Sequence, residues 1–202
     1  LGDAAEAKRL KNALLAFPLS GDARAAAEHH IKKQLEATHC LPDDRTIICE
    51  HFADNAGEHQ LMIHSIFGRR VNHALSMLAR HRAQQLAGLD VRGYDDDDGM
   101  LLFLMGGSEL PENILPEIDP DGAEAMIDAL LPAEPMFSMA YRYAAARADM
   151  MGMRGRGRQP LWVQRLRGAE SLAGAVLAKD HPLVLEALRE CREDMLDVAG
   201  AV

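Results

Sequence analysis

The stretch Arg154-Gly155-Arg156-Gly157-Arg158-Gln159-Pro160-Leu161-Trp162-Val163-Gln164-Arg165-Leu166-Arg167 has the residue types of an anion-binding surface. From Tyr141 to Gly168 there are seven arginines and a single acidic residue, Asp149, although the 202-residue chain carries a formal net charge of -9. A positive field concentrated on a negative molecule usually faces an anion, and the commonest large anion is a nucleic-acid backbone. The only tryptophan, Trp162, lies inside the tract, and aromatic rings among arginines suit the stacking of unpaired bases. Arg154, Arg156, Arg158, Arg165 and Arg167 are therefore candidate phosphate contacts, with Trp162 as the candidate stacking residue. The same composition also describes a solvated Arg/Gly linker that leads into a helix. For Trp162 itself burial is the favoured expectation, because Leu161-Trp162 opens an apolar helix face and Trp is highly buried on average.

Other chemistries find little support. A phosphate-binding loop of the Walker type needs Gly immediately before Lys, and none of Lys8, Lys11, Lys32, Lys33 or Lys179 follows a glycine. No Gly-x-Ser-x-Gly elbow surrounds Ser65 or Ser108. Asp95-Asp96-Asp97-Asp98-Gly99 suggests calcium, but aligning Gly99 with the loop glycine puts Tyr94 at the first ligand position and Met105 at the bidentate one. The run is expected to be a solvated turn. His39, Cys40, Cys49 and His51 have the atoms for zinc without the tight knuckles of a structural site, and an inward Cys49 beside a polar-face His51 explains them. No metal or cofactor is expected in these residues. Glu170, Glu186, Glu190, Glu193 and Asp194 stand at helical spacings from arginines and read as surface pairs.

The elements that must position the tract follow from periodicity. The core has few aromatics to draw on, 4% of residues, within a hydrophobic share of 48% that includes eleven methionines. Two leading helices fill residues 1–40, the first along Ala4, Ala7, Leu10, Leu14 and Leu15, the second from Gly21-Asp22 to near His39. Residues 41–108 read as a sheet subdomain. Thr46 to Phe52 and Gln60 to Phe67 flank the turn Asp54-Asn55-Ala56-Gly57, and Val91 to Tyr94 and Met100 to Met105 flank the Asp run. Between the hairpins Val71, Ala74, Leu75, Leu78, Ala79 and Leu86 share one helix face. Residues 109–202 are helical: Ala123 to Leu131, Pro135 to about Met151, Leu161 to about Ala178 and Pro182 to about Leu196, interrupted by the Arg/Gly tract at 153–160. The fold class is α+β, a β-β-α-β-β sheet covered by helices and followed by a C-terminal helical subdomain.

Four segments in this order resemble a known family: Ile63-His64-Ser65-Ile66-Phe67-Gly68-Arg69-Arg70-Val71-Asn72, Asp97-Asp98-Gly99-Met100-Leu101-Leu102, Arg158-Gln159-Pro160-Leu161-Trp162-Val163-Gln164-Arg165 and Leu185-Glu186-Ala187-Leu188-Arg189-Glu190-Cys191. They look like the DEAD/DEAH-box-associated domain of large helicase-related (Lhr-type) proteins, superfamily 2 ATP-dependent helicases of DNA repair. The resemblance covers roughly residues 45–198. It implies an accessory domain, not itself an enzyme, that contacts or guides single-stranded DNA (or RNA or a hybrid) in a helicase whose ATP and Mg²⁺ act in motor domains elsewhere. The alternative it implies is a brace on the RecA-like motor and winged-helix domains of the same parent chain. A membrane is not an expected partner, since no apolar run approaches the length of a span. The odd count of cysteines (Cys40, Cys49 and Cys191) without C-x-x-C spacing and the lack of a signal-peptide core point to a cytoplasmic protein with reduced thiols. The missing initiator Met suggests a piece of a longer chain.

Overall fold

A computed structural model describes residues 12, 14–104, 109–111, 114–115, 118–150, 160–178 and 180–201. Two compact units are present, Leu1–Ile48 and Cys49–Val202. The expected first helix falls mostly outside the described residues. In the smaller unit, helix α1 spans Gly21–Thr38, the extent that the sequence predicts. The Ser20 hydroxyl accepts from the Ala23 amide at 3.2 Å, and His39 closes the helix in the left-handed conformation at φ 58°. No residue of α1 is buried.

The larger unit follows the β-β-α-β-β order. Strands β1 (Ile48–Ala53) and β2 (His59–His64), helix α2 (Arg69–Ala87), and strands β3 (Val91–Asp95) and β4 (Gly99–Leu104) build one sheet in the order β1-β2-β4-β3. The pairings of β4 with β2 and with β3 are antiparallel: Leu61 faces Leu102, Ile63 faces Met100 and Val91 faces Leu104. Side chains alternate along a strand, so these apolar residues share one face, and all are buried. Gly99 is required at the start of β4. Its φ is +155°, and a Cβ there would lie 2.3 Å from the Ile63 carbonyl oxygen.

Helices then fill the chain: α3 (Pro120–Leu130), α4 (Pro135–Arg147), α5 (Leu161–Ala175), α6 (Pro182–Glu190) and the single turn α7 (Val198–Ala201). A proline stands in the first turn of α3, α4 and α6, where its fixed φ and missing N–H cost nothing. The helix expected to run to Leu196 stops earlier. Residues Cys191–Met195 form a π turn, in which the Leu196 amide reaches back to the Cys191 carbonyl at 2.8 Å.

Helix α2 is buried on two sides. Ala79 and Ala83 pack with the sheet residues Leu61, Ile63, Val91, Met100, Leu102 and Leu104. Ala74, Met77 and Leu78 pack with Ile127, Leu131, Phe137, Tyr141, Ala187, Cys191 and Leu196 of the helical layer. Leu86, expected on the core face, is exposed, while its neighbour Ala87 packs against the sheet cluster. Burying one Leu, Ile or Phe side chain fully contributes about 1.5–3 kcal/mol, so two such clusters on one helix hold the sheet and the helical layer together.

The start of α2 is fixed by polar groups. The Asn72 side chain, fully buried, donates to the carbonyls of Ser65 (3.1 Å), Asp96 (2.9 Å) and Asp97 (3.2 Å) and accepts from the Ser65 hydroxyl at 2.6 Å. The Arg70 guanidinium donates to the carbonyls of Glu193 and Leu196, both at 2.7 Å, which would otherwise be orphaned at the π turn. The Asp run is thus a turn, as expected, and its carbonyls have a partner. Asn72→Ala strands those buried groups and should lower stability by about 2–3 kcal/mol in urea unfolding; Arg70→Ala should cost less, because water reaches its guanidinium.

Candidate nucleic-acid interface

Helix α5 starts at Leu161, directly after Pro160, whose carbonyl accepts from the Val163 amide at 3.0 Å. Only Gly168 and Ala175 of α5 are buried. These small residues let the helix lie against α4: a Cβ added to Gly168 would already be in contact with the Arg142 stem at 3.5 Å. The Tyr141 hydroxyl and the Ser171 hydroxyl, 2.9 Å apart, pin the two helices together.

Trp162 is 69% exposed, which corrects the expectation that it enters the core. Six residues separate it from Gly168, about 600° of helical rotation, so it projects some 120° away from the line facing α4. An apolar helix start is a weak guide to burial when the contact line is made of small residues. Leu161 and Leu166 are exposed too. The result is an uncovered apolar stripe with the indole at its head.

Arg165 lies one turn after Trp162, and residues three apart are neighbours on a helix surface. Arg167 is two residues further on, at about 200° from Arg165, and makes an interaction of its own. The fold therefore brings Trp162 and Arg165 together and sends Arg167 elsewhere. Arg154, Arg156 and Arg158 lie outside the described residues.

Arg142 of α4 lines a groove with Arg165 and was not among the candidate contacts read from sequence. The Arg142 guanidinium lies 5.7 Å from the centre of the Tyr143 ring, and Tyr143 is about half exposed. The signal was present: Arg142 belongs to the same arginine-rich segment. Its neighbour Arg147 belongs to that segment as well, yet it is bound to Glu190 at 2.6 Å. Three other described arginines of this unit are also spent internally, Arg80 on Glu134 (2.6 Å), Arg189 on Glu186 (2.9 Å) and Glu193 (2.7 Å), and Arg192 on Glu124 and Asp128. The pairs of Arg189 are the helix-surface pairs expected from spacing. They hold the Glu186 carboxyl below its ordinary range and raise the Arg189 guanidinium.

The remaining candidates for chemistry resolve structurally. Cys49 is exposed rather than inward, because β1 is an edge strand without a buried residue. Cys191 is fully buried, and burial pushes its thiol up to about 11, so it is a packing group rather than a nucleophile. His64 pairs with Glu50 at 3.1 Å and His73 with Asp95 at 2.8 Å. The His181 ring accepts from the Leu183 amide at the start of α6.

Residues 41–202 match the profile of the family described as DEAD/H associated. An Lhr helicase of Mycolicibacterium smegmatis is 34% identical over 174 residues, 85% of this chain and 12% of the relative. The Lhr helicase/uracil glycosylase of Escherichia coli is 32% identical across 83% of this chain and 11% of its own length. The ATP-dependent helicase Lhr-Core of Sulfolobus acidocaldarius is 27% identical across 92% of this chain and 22% of its own. Among solved structures, that of the Mycobacterium smegmatis helicase Lhr bound to ssDNA and AMP-PNP superposes with a TM-score of 0.81 at 30% identity, covering 96% of this chain and 25% of that one. The chain thus spans about an eighth of the first of these relatives.

The exposure of the one tryptophan is directly measurable. Its emission should be red-shifted, close to that of free indole, and strongly quenched by iodide; a blue-shifted, shielded emission would return Trp162 to the core.

Proposed function

The chain belongs to the DEAD/H associated family, and we propose that it serves a longer helicase as the domain that contacts single-stranded DNA after the motor. The observation that carries this reading is the uncovered Trp162 indole, one helical turn from Arg165 on α5. An exposed large aromatic is unfavourable in water unless something covers it, and a nucleobase covers an indole well. The Arg165 charge stands where the adjoining phosphate would pass. The solved relative that holds ssDNA supports the choice of ligand. Arg154, Arg156 and Arg158 would extend the same contact along the backbone. In this reading ATP and Mg²⁺ act in motor domains outside residues 1–202, and this chain supplies no hydrolytic group.

The chain's net charge of -9 limits the contact to a strip. A domain that wraps nucleic acid is usually basic overall. A few phosphates and one base therefore suit it better than a channel. Titration of a labelled oligothymidylate, followed by anisotropy, should give binding that weakens with salt. Trp162→Ala should cost about 1–3 kcal/mol, roughly 5- to 150-fold in affinity. An oligouridylate of equal length, bound more tightly, would shift the assignment to RNA; equal binding by Trp162→Ala would remove the stacking role.

A bracing role is supported by a different surface. The sheet face opposite α2 carries Met62, Leu101, Phe103 and Tyr94, the last 71% exposed and stacked on Phe103 with ring centres 5.8 Å apart. Phe52 of the edge strand is also exposed, and Glu50 beside His64 lends the margin negative charge. Apolar centre and acidic margin fit an apolar, basic surface of another domain in the same polypeptide. Phe52→Glu with Tyr94→Glu, placed in the full polypeptide, should leave oligonucleotide affinity of the isolated domain intact and hasten its release by mild proteolysis; release at the unaltered rate would exclude this face as the joint.

A further inference from the structure

We propose that the groove between α4 and α5 is a seat for one phosphodiester phosphate, clamped by Arg142 and Arg165; the assignment rests on α5 being a nucleic-acid contact. The groove encloses about 380 Å³ and is lined by Ser138, Met139, Arg142, Arg165, Gly168 and Ala169, with Pro135 at its end. No carboxylate is among its described lining residues. Neither Arg142 nor Arg165 has a carboxylate within ion-pair distance among the described residues, whereas Arg80, Arg147, Arg189 and Arg192 are all so paired. Two arginines that line one small groove concentrate positive charge on it, and an anion seated between them lowers their mutual repulsion.

The remaining lining fits a nucleotide link better than a protein carboxylate. Ser138 donates its hydroxyl proton to the Pro135 carbonyl at 3.0 Å, which leaves Arg142 and Arg165 as the side-chain donors among the described lining residues. Planar forks match phosphate oxygens two at a time. Met139 and Ala169 offer apolar walls for the edge of a sugar. At the floor, Gly168 keeps the space open, since any side chain longer than a methyl would run into the Arg142 stem. Tyr143 lies under the Arg142 guanidinium and limits where it can swing. Trp162 is one turn from Arg165 on the same helix, placed to cover the base attached to the seated phosphate.

Salt dependence separates this seat from the surfaces around it. Removing one arginine–phosphate interaction with a single strand makes the slope of log affinity against log salt shallower by about 0.7. Arg142→Gln and Arg165→Gln should each produce that change with labelled oligothymidylate, while Arg142→Lys keeps the slope and binds more weakly, and Arg189→Gln leaves both unchanged. An oligothymidylate with uncharged methylphosphonate links should bind the unaltered chain and Arg142→Gln alike. Inorganic phosphate at matched ionic strength should not displace the oligomer; displacement at comparable concentration would make this a free-phosphate site and overturn the proposal. A full slope in Arg142→Gln, with Trp162→Ala still weakened, overturns the seat and spares the stacking role. If the unaltered chain binds no oligomer at low salt, both assignments fail together. Circular dichroism of each variant confirms that the fold is intact.

Discussion

The larger unit depends on the amide of Asn72. Three carbonyls at 2.9–3.2 Å and one hydroxyl converge on it in a space closed to water. Those groups come from the end of β2 and from the β3–β4 turn, and Asn72 itself opens α2. Polar groups taken out of water are costly unless paired, so the site tolerates one arrangement of these three segments and excludes its neighbours. That arrangement sets where the sheet ends and the angle at which α2 leaves it. Arg70 adds a second tie two residues earlier, from the same helix start to the π turn after α6. The Arg-Val-Asn string, part of the family resemblance, is thus a structural knot, placed on the side of the molecule that holds layers together rather than on a ligand.

With the layers fixed, charge decides what is left for function. Acidic residues outnumber basic ones, yet Glu124, Asp128, Glu134, Glu186, Glu190 and Glu193 are used to hold arginines in place. Exposed pairs of this kind contribute little stability each. Their larger effect is to leave a positive field at Arg142 and Arg165, on the outer helices that no core residue anchors at Trp162. Under the proposed function, a narrow basic strip beside an uncovered indole on an acidic body makes the contact local and reversible.

Residue pattern alone specifies the order and type of nearly every element of the larger unit. Strands show as short apolar runs bounded by turn residues, and the prolines and glycines at helix boundaries act through backbone geometry that holds in any context. Pattern also locates the arginine-rich segment, since charge is a property of composition. Three matters belong to the packed molecule. Helix α5 meets α4 through Gly168 and Ala175, so Trp162 turns to water although its flanking leucine suggested a core position; residue size at a contact line several turns away is not legible from local pattern. Cys49 sits on an edge strand, and edge or centre is set by pairing order, which periodicity does not encode. Arg142 and Arg147 look alike in the chain, five residues apart, and only packing assigned Glu190 to one and an open groove to the other, because an ion pair depends on which helix lies opposite.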